Sequence, residues 1–369
     1  MMKITPLYHT HLELGAKMFT SAVGYAMPAK YTSVEEEHRN VRERVGMMDI
    51  SLMGRLDIKG KDAFQLIQKL IVHDAAGLSD GQALYTTMCN DQGMIMDDVT
   101  VWRFGSEYFR IITSSMFRAR TSVWVEDHSE NMDAYLTDVS SGLGMISVQG
   151  PRSRELLQDI MDIDLSQLKF FRFATGKFGT IPGLIARIGF SGELGYECYV
   201  NTEDTVAAWE MFMDAGKPFG LMPYGFDVLD TLRWEKGFIF YGFDATEKHN
   251  PYECRLSEWI RYDKSDFIGR EALLKIRDRG VARKLMGLEV AGDNVAAEQQ
   301  PLKADGKTIG SVVVGFFAPY VGKNLAYAYL DSECAEAGTQ VSLEIEGADA
   351  NAKVVEMPFY DPEGKRMRM

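Results

Sequence analysis

The amino-acid sequence predicts an α+β protein of two or three domains that closes on a small β-barrel. Three observations carry this. The chain has 369 residues, and domains typically run to about 100–200 residues. Up to Gly237, strand-like alternating stretches interleave with helical 3–4 spacing. Beyond the charge-rich run Arg277–Arg283, the stretches Lys284–Val290, Ile309–Val314, Ala326–Leu330 and Val341–Ile345 read as short strands separated by turns, the pattern of a barrel.

Composition narrows the function classes. The chain is 46% hydrophobic and 25% charged, ordinary for a folded globular protein. A net charge of −13 argues against nucleic-acid binding, which needs a basic patch or stripe. Apolar runs of about 18 residues are absent, so no membrane span is expected, nor is a secretory signal in Met1–Thr10. The four cysteines (Cys89, Cys198, Cys254, Cys334) lack Cys-x-x-Cys spacing and suit a reducing cytosol. The histidines do not cluster; the one close pair, His9 and His11, is expected on a surface segment, and no metal site is expected.

From the start of the chain, Pro6 suits a helix entry and Gly15 its end. Ser33 followed by Glu36 forms a capping box, and Gly46 suits the stop of that helix. Acids lead and arginines trail along it, as the helix dipole favours, and most of its charges are expected in solvent. Met48–Ile58 reads as one strand and Gly60–Ile71 as a helix with Ala63, Leu66, Ile67, Leu70 and Ile71 on one face. Arg110–Ser115 is a short apolar strand, followed by a helix to about His128. Leu143–Pro151 is a strand and Gly-Pro turn entering the helix Ser153–Met161. A helix spans about Gly225 to Lys236, ended by Gly237, with Asp230, Arg233 and Lys236 spaced for an ion-pair ladder. Asp266–Glu271 opens a further helix through Arg277.

Two stretches carry chemistry. In Asn90–Trp102, the turn residues Asn90-Asp-Gln-Gly93 lead into a strand containing two adjacent carboxylates. Period-2 alternation puts Ile95, Asp97, Val99 and Val101 on one face and Met96, Asp98, Thr100 and Trp102 on the other. Asp97 therefore points with aliphatic residues, towards a core or a lined cavity, where an ionised carboxylate needs a partner or a moved pKa. From this stretch alone, an acid that caps a turn or meets a basic partner is the simpler reading. Gly81–Asn90 is the strand paired to it, and Tyr85 on such a strand is by itself more often core. In Leu184–Val200, Gly189, Gly192 and Gly195 give a bent loop that a flat ligand could approach, followed by a strand carrying Glu197.

These stretches resemble the aminomethyltransferase (glycine-cleavage T-protein, GcvT) family. Gly93-Met-Ile-Met-Asp-Asp-Val-Thr-Val-Trp102 resembles its Gly-x-(Ile/Val)-(Ile/Met)-Asp-Asp-(Leu/Val)-x-Val-(Tyr/Trp) segment. Gly189-Phe-Ser-Gly-Glu-Leu-Gly-Tyr-Glu-Cys198 resembles its Gly-Tyr-Thr-Gly-Glu-x-Gly-(Tyr/Phe)-Glu-(Ile/Val). Thr5-Pro-Leu-Tyr8, Gln149-Gly-Pro151 and Asp230-Thr-Leu-Arg-Trp-Glu-Lys-Gly237 extend the likeness, which runs from Thr5 to Tyr360. The resemblance implies a three-domain, ring-like (cloverleaf) fold with tetrahydrofolate in the central opening. Its implied domains are residues 1–50 with 140–275, residues 51–139, and the barrel 284–369. It implies Asp97 as the catalytic acid and Glu197 as the holder of the pterin ring. Tyr85, Trp102, Phe190 and Tyr241 would line the cofactor's faces, with Val99 and Arg233 also bordering it.

Departures shape the expected activity. The family's customary His is Leu52, a ligand-contacting arginine is Leu229, and Asn250-Pro-Tyr-Glu-Cys254 is closer to folate-dependent demethylases such as the dimethylsulfoniopropionate demethylase. The first expectation is therefore a transferase moving a one-carbon unit to tetrahydrofolate from a small N-, S- or O-methyl donor. The alternative is a glycine-cleavage aminomethyltransferase acting on an aminomethyl-lipoyl carrier protein. A non-catalytic folate-binding accessory protein, as among iron–sulfur assembly relatives, fits least: their Lys-Gly-Cys-Tyr-x-Gly-Gln-Glu is Lys236-Gly-Phe-Ile-Phe-Tyr-Gly242 here.

Overall fold

Two open sheets meet face to face and a closed barrel follows them in a computed structural model that describes residues 2–369. The first sheet has six strands in the order Phe173–Phe178, Ile181–Ala186, Gly195–Asn201, Leu143–Gln149, Val45–Asp49, Leu221–Pro223. The second has five: Gln82–Cys89, Ile95–Gly105, Tyr108–Thr113, Gly54–Lys59, Tyr135–Asp138. The barrel closes through Arg283–Val290, Lys323–Asp331, Lys307–Ala318, Pro301–Ala304, Gln340–Ile345 and Ala348–Val355. Two of its six strands, Pro301–Ala304 and Ala348–Val355, are too polar to read as strands from alternation alone. Among the described residues, no helix is long and apolar enough to cross a membrane.

Each sheet packs one face on a core of its own. Tyr196, Cys198 and Val200 join Ile146, Val148, Leu156, Trp209 and Phe212 beneath the six-stranded sheet. Val99, Val101, Phe109 and Ile111 join Leu56, Leu66 and Ile67 beneath the five-stranded one. The opposite faces meet through Ala83, Trp102, Ile112, Met145, Phe173, Leu184 and Tyr199. Trp102 lies 4.9 Å from Phe173 and 5.3 Å, edge-on, from Tyr199 between ring centroids. This aromatic contact joins the facing sides of the two sheets.

The stretch Met48–Ile58 is not one strand. Ser51 N–H donates to Asp49 Oδ1 at 2.9 Å, turning the chain between Val45–Asp49 in one sheet and Gly54–Lys59 in the other. At Gly54 a Cβ would come within 2.6 Å of Thr113 and 2.9 Å of Arg118, so only glycine begins the second strand here. The break is concealed because the alternation of Met48, Ile50, Leu52, Leu56 and Ile58 with Asp49, Ser51, Arg55 and Asp57 runs across it in step.

The helix Val34–Glu43 starts as expected, with Ser33 Oγ accepting from Glu36 N–H at 3.1 Å. Most of its charges face solvent as expected, Glu35, Glu36, Arg39 and Glu43 among them, but Glu37, His38 and Arg42 are fully buried. Glu37 accepts from the backbone N–H groups of Tyr31, Thr32 and Gly225. Arg42 pairs with Glu193 at 3.1 Å and Glu235 at 2.8 Å, and its guanidinium stacks 4.1 Å from the Tyr360 ring centre. Tyr360 and Arg366 also reach Glu193, so the chain beyond the barrel is tied to the six-stranded unit through one buried charge network. His11 is likewise buried, with Nε2 3.1 Å from Asp49 and Nδ1 2.8 Å from the Tyr31 hydroxyl, which corrects its expected surface position.

Candidate active site

The hairpin Gln82–Cys89/Ile95–Gly105 is set by its turn. Asn90 Oδ1 accepts from Gln92 N–H and Met94 N–H, both at 3.0 Å, and Gly93 adopts φ +76°. The resulting register pairs Tyr85 with Thr100 and Thr87 with Asp98. Asp98 and Tyr85 therefore share the face turned to the other sheet, and the Tyr85 hydroxyl donates to Asp98 Oδ2 at 2.9 Å. Both are only half-buried, although their strands have neighbours.

Asp97 points the opposite way. It is 1% exposed, and its Oδ2 accepts from Thr113 and Thr121 hydroxyls at 2.5 Å each, on the inner face of the five-stranded sheet. Its Oδ1 has no hydrogen-bond partner. The alternation was read correctly from the sequence, but the face Asp97 occupies is the core and not the side that meets the other sheet. Val99 follows Asp97 into that core. Asp98 and Thr100 occupy the opposite face, the one that carries Trp102.

Glu197 lies on the facing sheet, in register with Ala186 on one side and Ser147 on the other. It is half-buried; Tyr199 donates to its Oε2 at 3.0 Å. Asp98 and Glu197 thus lie on the sides of the two sheets that face each other, the sides that carry Trp102 and Tyr199. Burial pushes the Asp98 carboxyl up to about 6, against the Tyr85 hydrogen bond that favours its charged form. Burial pushes Glu197 to about 7. Asp97 is pushed to about 7 by burial and then by the neighbouring charge of Asp98, with the two threonine hydroxyls opposing.

A testable consequence follows for Asp97. A carboxyl whose pKa is higher folded than unfolded holds its proton longer in the native state, so stability falls as pH rises from about 4 through about 7. Asp97→Asn keeps the shape and removes the titration. The expected result is a smaller loss of Tm between pH 5 and pH 8 than in the parent protein, measured by calorimetry; an unchanged slope would contradict the assignment.

The other expected residues distribute differently. Trp102 is fully buried between the sheets, its Nε1–H donating to Thr100 Oγ1 at 2.8 Å. Phe190 is half-buried, parallel to Phe238 (8°, 5.4 Å between centroids), and packs against Leu229 and Tyr224. Tyr241 is not among the residues that join the two sheets: its hydroxyl donates to the Ile95 carbonyl at 2.6 Å and its ring packs on Phe117, behind the carboxylate strand. Arg233 is buried, and its guanidinium is occupied by Asp230 at 2.6 Å and Asp244 at 2.5 Å. The ladder stops there, because Lys236 pairs with Asp361 instead.

The glycines of the 189–195 loop answer to protein side chains. A Cβ at Gly189 or Gly195 would lie 2.0 Å from Gln149 Oε1, and one at Gly192 would lie 2.7 Å from Lys236. Gln149 is fully buried; its amide donates to Ser147 and its Oε1 accepts from Ser191, locking the loop beside Glu197. Sequence reasoning treated Gln149 as an architectural landmark and missed this; the signal was its coincidence with two glycines 40 to 46 residues later. Tyr224, beside Ser147 and Glu197, was missed as well. Among the described residues, no group of three or more His, Cys, Asp or Glu is placed to hold a metal ion. A surface groove of about 550 Å³ along Arg154, Gln158 and Met161 shares no residue with this site.

Paired sheets followed by a closed barrel define a class that comparison with known proteins identifies. Residues 7–264 match the GCVT N-terminal domain and residues 283–361 the glycine cleavage T-protein C-terminal barrel domain. The chain belongs to the glycine-cleavage T-protein family. It is 36% identical over 366 residues to the aminomethyltransferase of Caldanaerobacter subterraneus subsp. tengcongensis, covering 99% of this chain and 98% of that protein. It is 37% identical over 368 residues to the aminomethyltransferase of Symbiobacterium thermophilum, covering 97% of each. Its fold is similar to that of the glycine cleavage system aminomethyltransferase T from Bartonella henselae, with a TM-score of 0.91, 25% identity, and coverage of 98% and 99%.

Proposed function

We propose that this protein is a tetrahydrofolate-dependent aminomethyltransferase that takes its one-carbon unit from an aminomethyl-lipoyl carrier protein. The observation that carries the reading is full-length similarity to aminomethyltransferases in a chain that places two half-buried carboxylates, Asp98 and Glu197, on the facing sides of its two sheets. The residues fit the cofactor: Glu197 receives one hydrogen bond, from Tyr199, and can accept further N–H donors from an aminopyrimidine edge in charge-assisted form. Bound tetrahydrofolate supplies the two nitrogens that take over the carbon.

In this reading the catalytic carboxylate is Asp98, in place of the Asp97 expected from the resemblance. Asp98 faces the other sheet, and a pKa near 6 lets it hold or release a proton close to neutral pH. Its negative charge also opposes positive charge that develops on the carbon during transfer. Tyr85 orients it through the 2.9 Å hydrogen bond. Asp97, held by Thr113 and Thr121, fixes the strand behind it. Glu197 holds the pterin, with Tyr224 and Tyr199 beside it. Trp102 packs between the two sheets and Phe190 packs against the cluster of Tyr224 and Leu229.

A second reading, transfer from a free small N-, S- or O-methyl donor, is favoured by one observation. Leu229 is 9% exposed in an apolar cluster, where the family carries an arginine, and Leu52 is 5% exposed where it carries a histidine. The deciding experiment supplies tetrahydrofolate with aminomethylated lipoyl carrier protein, dimethylglycine, sarcosine, dimethylsulfoniopropionate or aryl methyl ethers. Chromatography then follows 5,10-methylene- and 5-methyl-tetrahydrofolate. Methylene-tetrahydrofolate from the carrier alone is expected. Product from a free donor and none from the carrier would transfer the assignment to the second reading, and no product from any would sink both.

A further inference from the structure

Resting on the reading of a folate-dependent transferase, we propose that Arg120 is a positioning residue for the transfer: with Tyr241 it pins a bulge at Met96 that turns Asp98, and not Asp97, towards the facing sheet. The register of the hairpin shows the bulge. Thr87 stands opposite Asp98 and Met88 opposite Asp97, but Cys89 stands opposite Ile95, which leaves Met96 as an extra residue on the acid strand. Its place matters, because a bulge re-aims the side chains beside it. Were the extra residue to lie beyond Asp98, Asp97 would stand opposite Thr87 and share the face of Tyr85, since a slip of one residue exchanges the two faces of a strand.

The surroundings hold the bulge where it is. Pairing with the strand Tyr108–Thr113 covers only Thr100–Gly105, so Ile95–Asp98 has a strand along one edge alone. Side chains from outside the sheet take two carbonyls of this segment. The Tyr241 hydroxyl donates to the Ile95 carbonyl at 2.6 Å, and the Arg120 guanidinium donates to the Met96 carbonyl. The two groups also meet each other, with Arg120 Nη2 3.2 Å from the Tyr241 hydroxyl. Successive carbonyls of a regular strand point to opposite edges, so one linked pair of donors reaches both where the backbone is bulged. The other neighbours of the half-buried Arg120 guanidinium are aromatic: it lies 4.3 Å from the Phe117 ring centre and 5.5 Å from that of Tyr241. Thr121, next on the same helix Arg118–His128, donates to Asp97. One helix thus addresses both the bulge and the acid beside it.

The test joins kinetics to a contact that can be read without turnover. With aminomethylated lipoyl carrier protein, Arg120→Ala should lower kcat roughly 100-fold, the loss that follows a misplacement of about 1 Å. Folinate affinity, which depends on Glu197, should stay at the parent value. Adding Arg120→Ala to Asp98→Asn should cost no more than about 2-fold beyond Asp98→Asn alone, because substitutions that act through one group do not add. Arg120→Lys, which keeps a donor for the Met96 carbonyl, should recover part of the rate. NMR should show the cross-strand contact of Thr87 with Asp98 in the parent and in Arg120→Lys, and its loss in Arg120→Ala. If Arg120→Ala does not fold by circular dichroism, Tyr241→Phe takes its place in each measurement. A near-parent kcat, losses that multiply in the double variant, or an unchanged Thr87–Asp98 contact would overturn the proposal. No turnover by the parent protein with carrier or free donors would remove the transferase reading alone, and the Thr87–Asp98 contact would then decide whether Arg120 sets the face.

Discussion

Asp98→Asn is expected to lower the rate of methylene-tetrahydrofolate formation by roughly 10²–10⁴-fold, the range lost with a positioned acid–base group. The substitution keeps the acceptor for the Tyr85 hydroxyl, so the 2.9 Å contact and the hairpin register survive. Folate affinity, followed by fluorescence titration, should change little. Asp97→Asn should cost far less, because that side chain addresses Thr113 and Thr121 inside the sheet. The contrast is the informative part. A large loss in Asp97→Asn with near-parent rates in Asp98→Asn would return the catalytic role to Asp97 and discard the face assignment.

Glu197→Gln should act on binding. Hydrogen bonds to a charged group contribute about 1.5–3 kcal/mol, so losing the charge-assisted pair to an aminopyrimidine edge weakens folate by roughly 10- to 150-fold in Kd. The glutamine can still accept from Tyr199 at the 3.0 Å position, which keeps the local packing in place. Calorimetric titration with folinate reads the effect directly. The same loss should appear in KM for tetrahydrofolate while turnover at saturation stays close to the parent value. Unaltered affinity would mean that the ring is held elsewhere, with Tyr224 and Ser147 the next groups along that wall.

Both predictions depend on a choice that alternation alone does not make. In Ile95–Gly105 the period of two separates Asp97 from Asp98 with certainty, since successive side chains leave a strand on opposite sides. Which side faces the other sheet depends on what lies across each face. Asp97 among Ile95, Val99 and Val101 looked like the unusual acid, and it is unusual: a buried carboxylate with an unpartnered oxygen. The neighbouring sheet, carrying Glu197, covers the other face.

Similar reasoning separates the rest. Ser33, Gly93 and Gly237 were legible because capping and positive φ are local requirements, met within three or four residues. Most of the barrel was legible because short alternating strands bounded by turns repeat along one segment. Glu37, His38 and Arg42 were not, because a charged helix face reads the same whether its partners are water or Glu235 and Gly225 from far along the chain. Tyr241 was placed at the cofactor by its motif, yet a hydrogen bond to the Ile95 carbonyl, 146 residues earlier, fixes it behind the strand.

The sequence by itself therefore determined the family, the α+β class with its closing barrel, the hairpin that carries the acid pair, and the strand that carries Glu197. These rest on local spacing and on motifs in order along the chain. Only the tertiary structure decided which acid of the pair faces the other sheet, that the loop glycines make room for Gln149 and Lys236, and that Arg233 is already neutralised by Asp230 and Asp244. Each of those depends on groups brought together from distant parts of the chain, and burial, pairing and pKa are properties of that assembled surrounding.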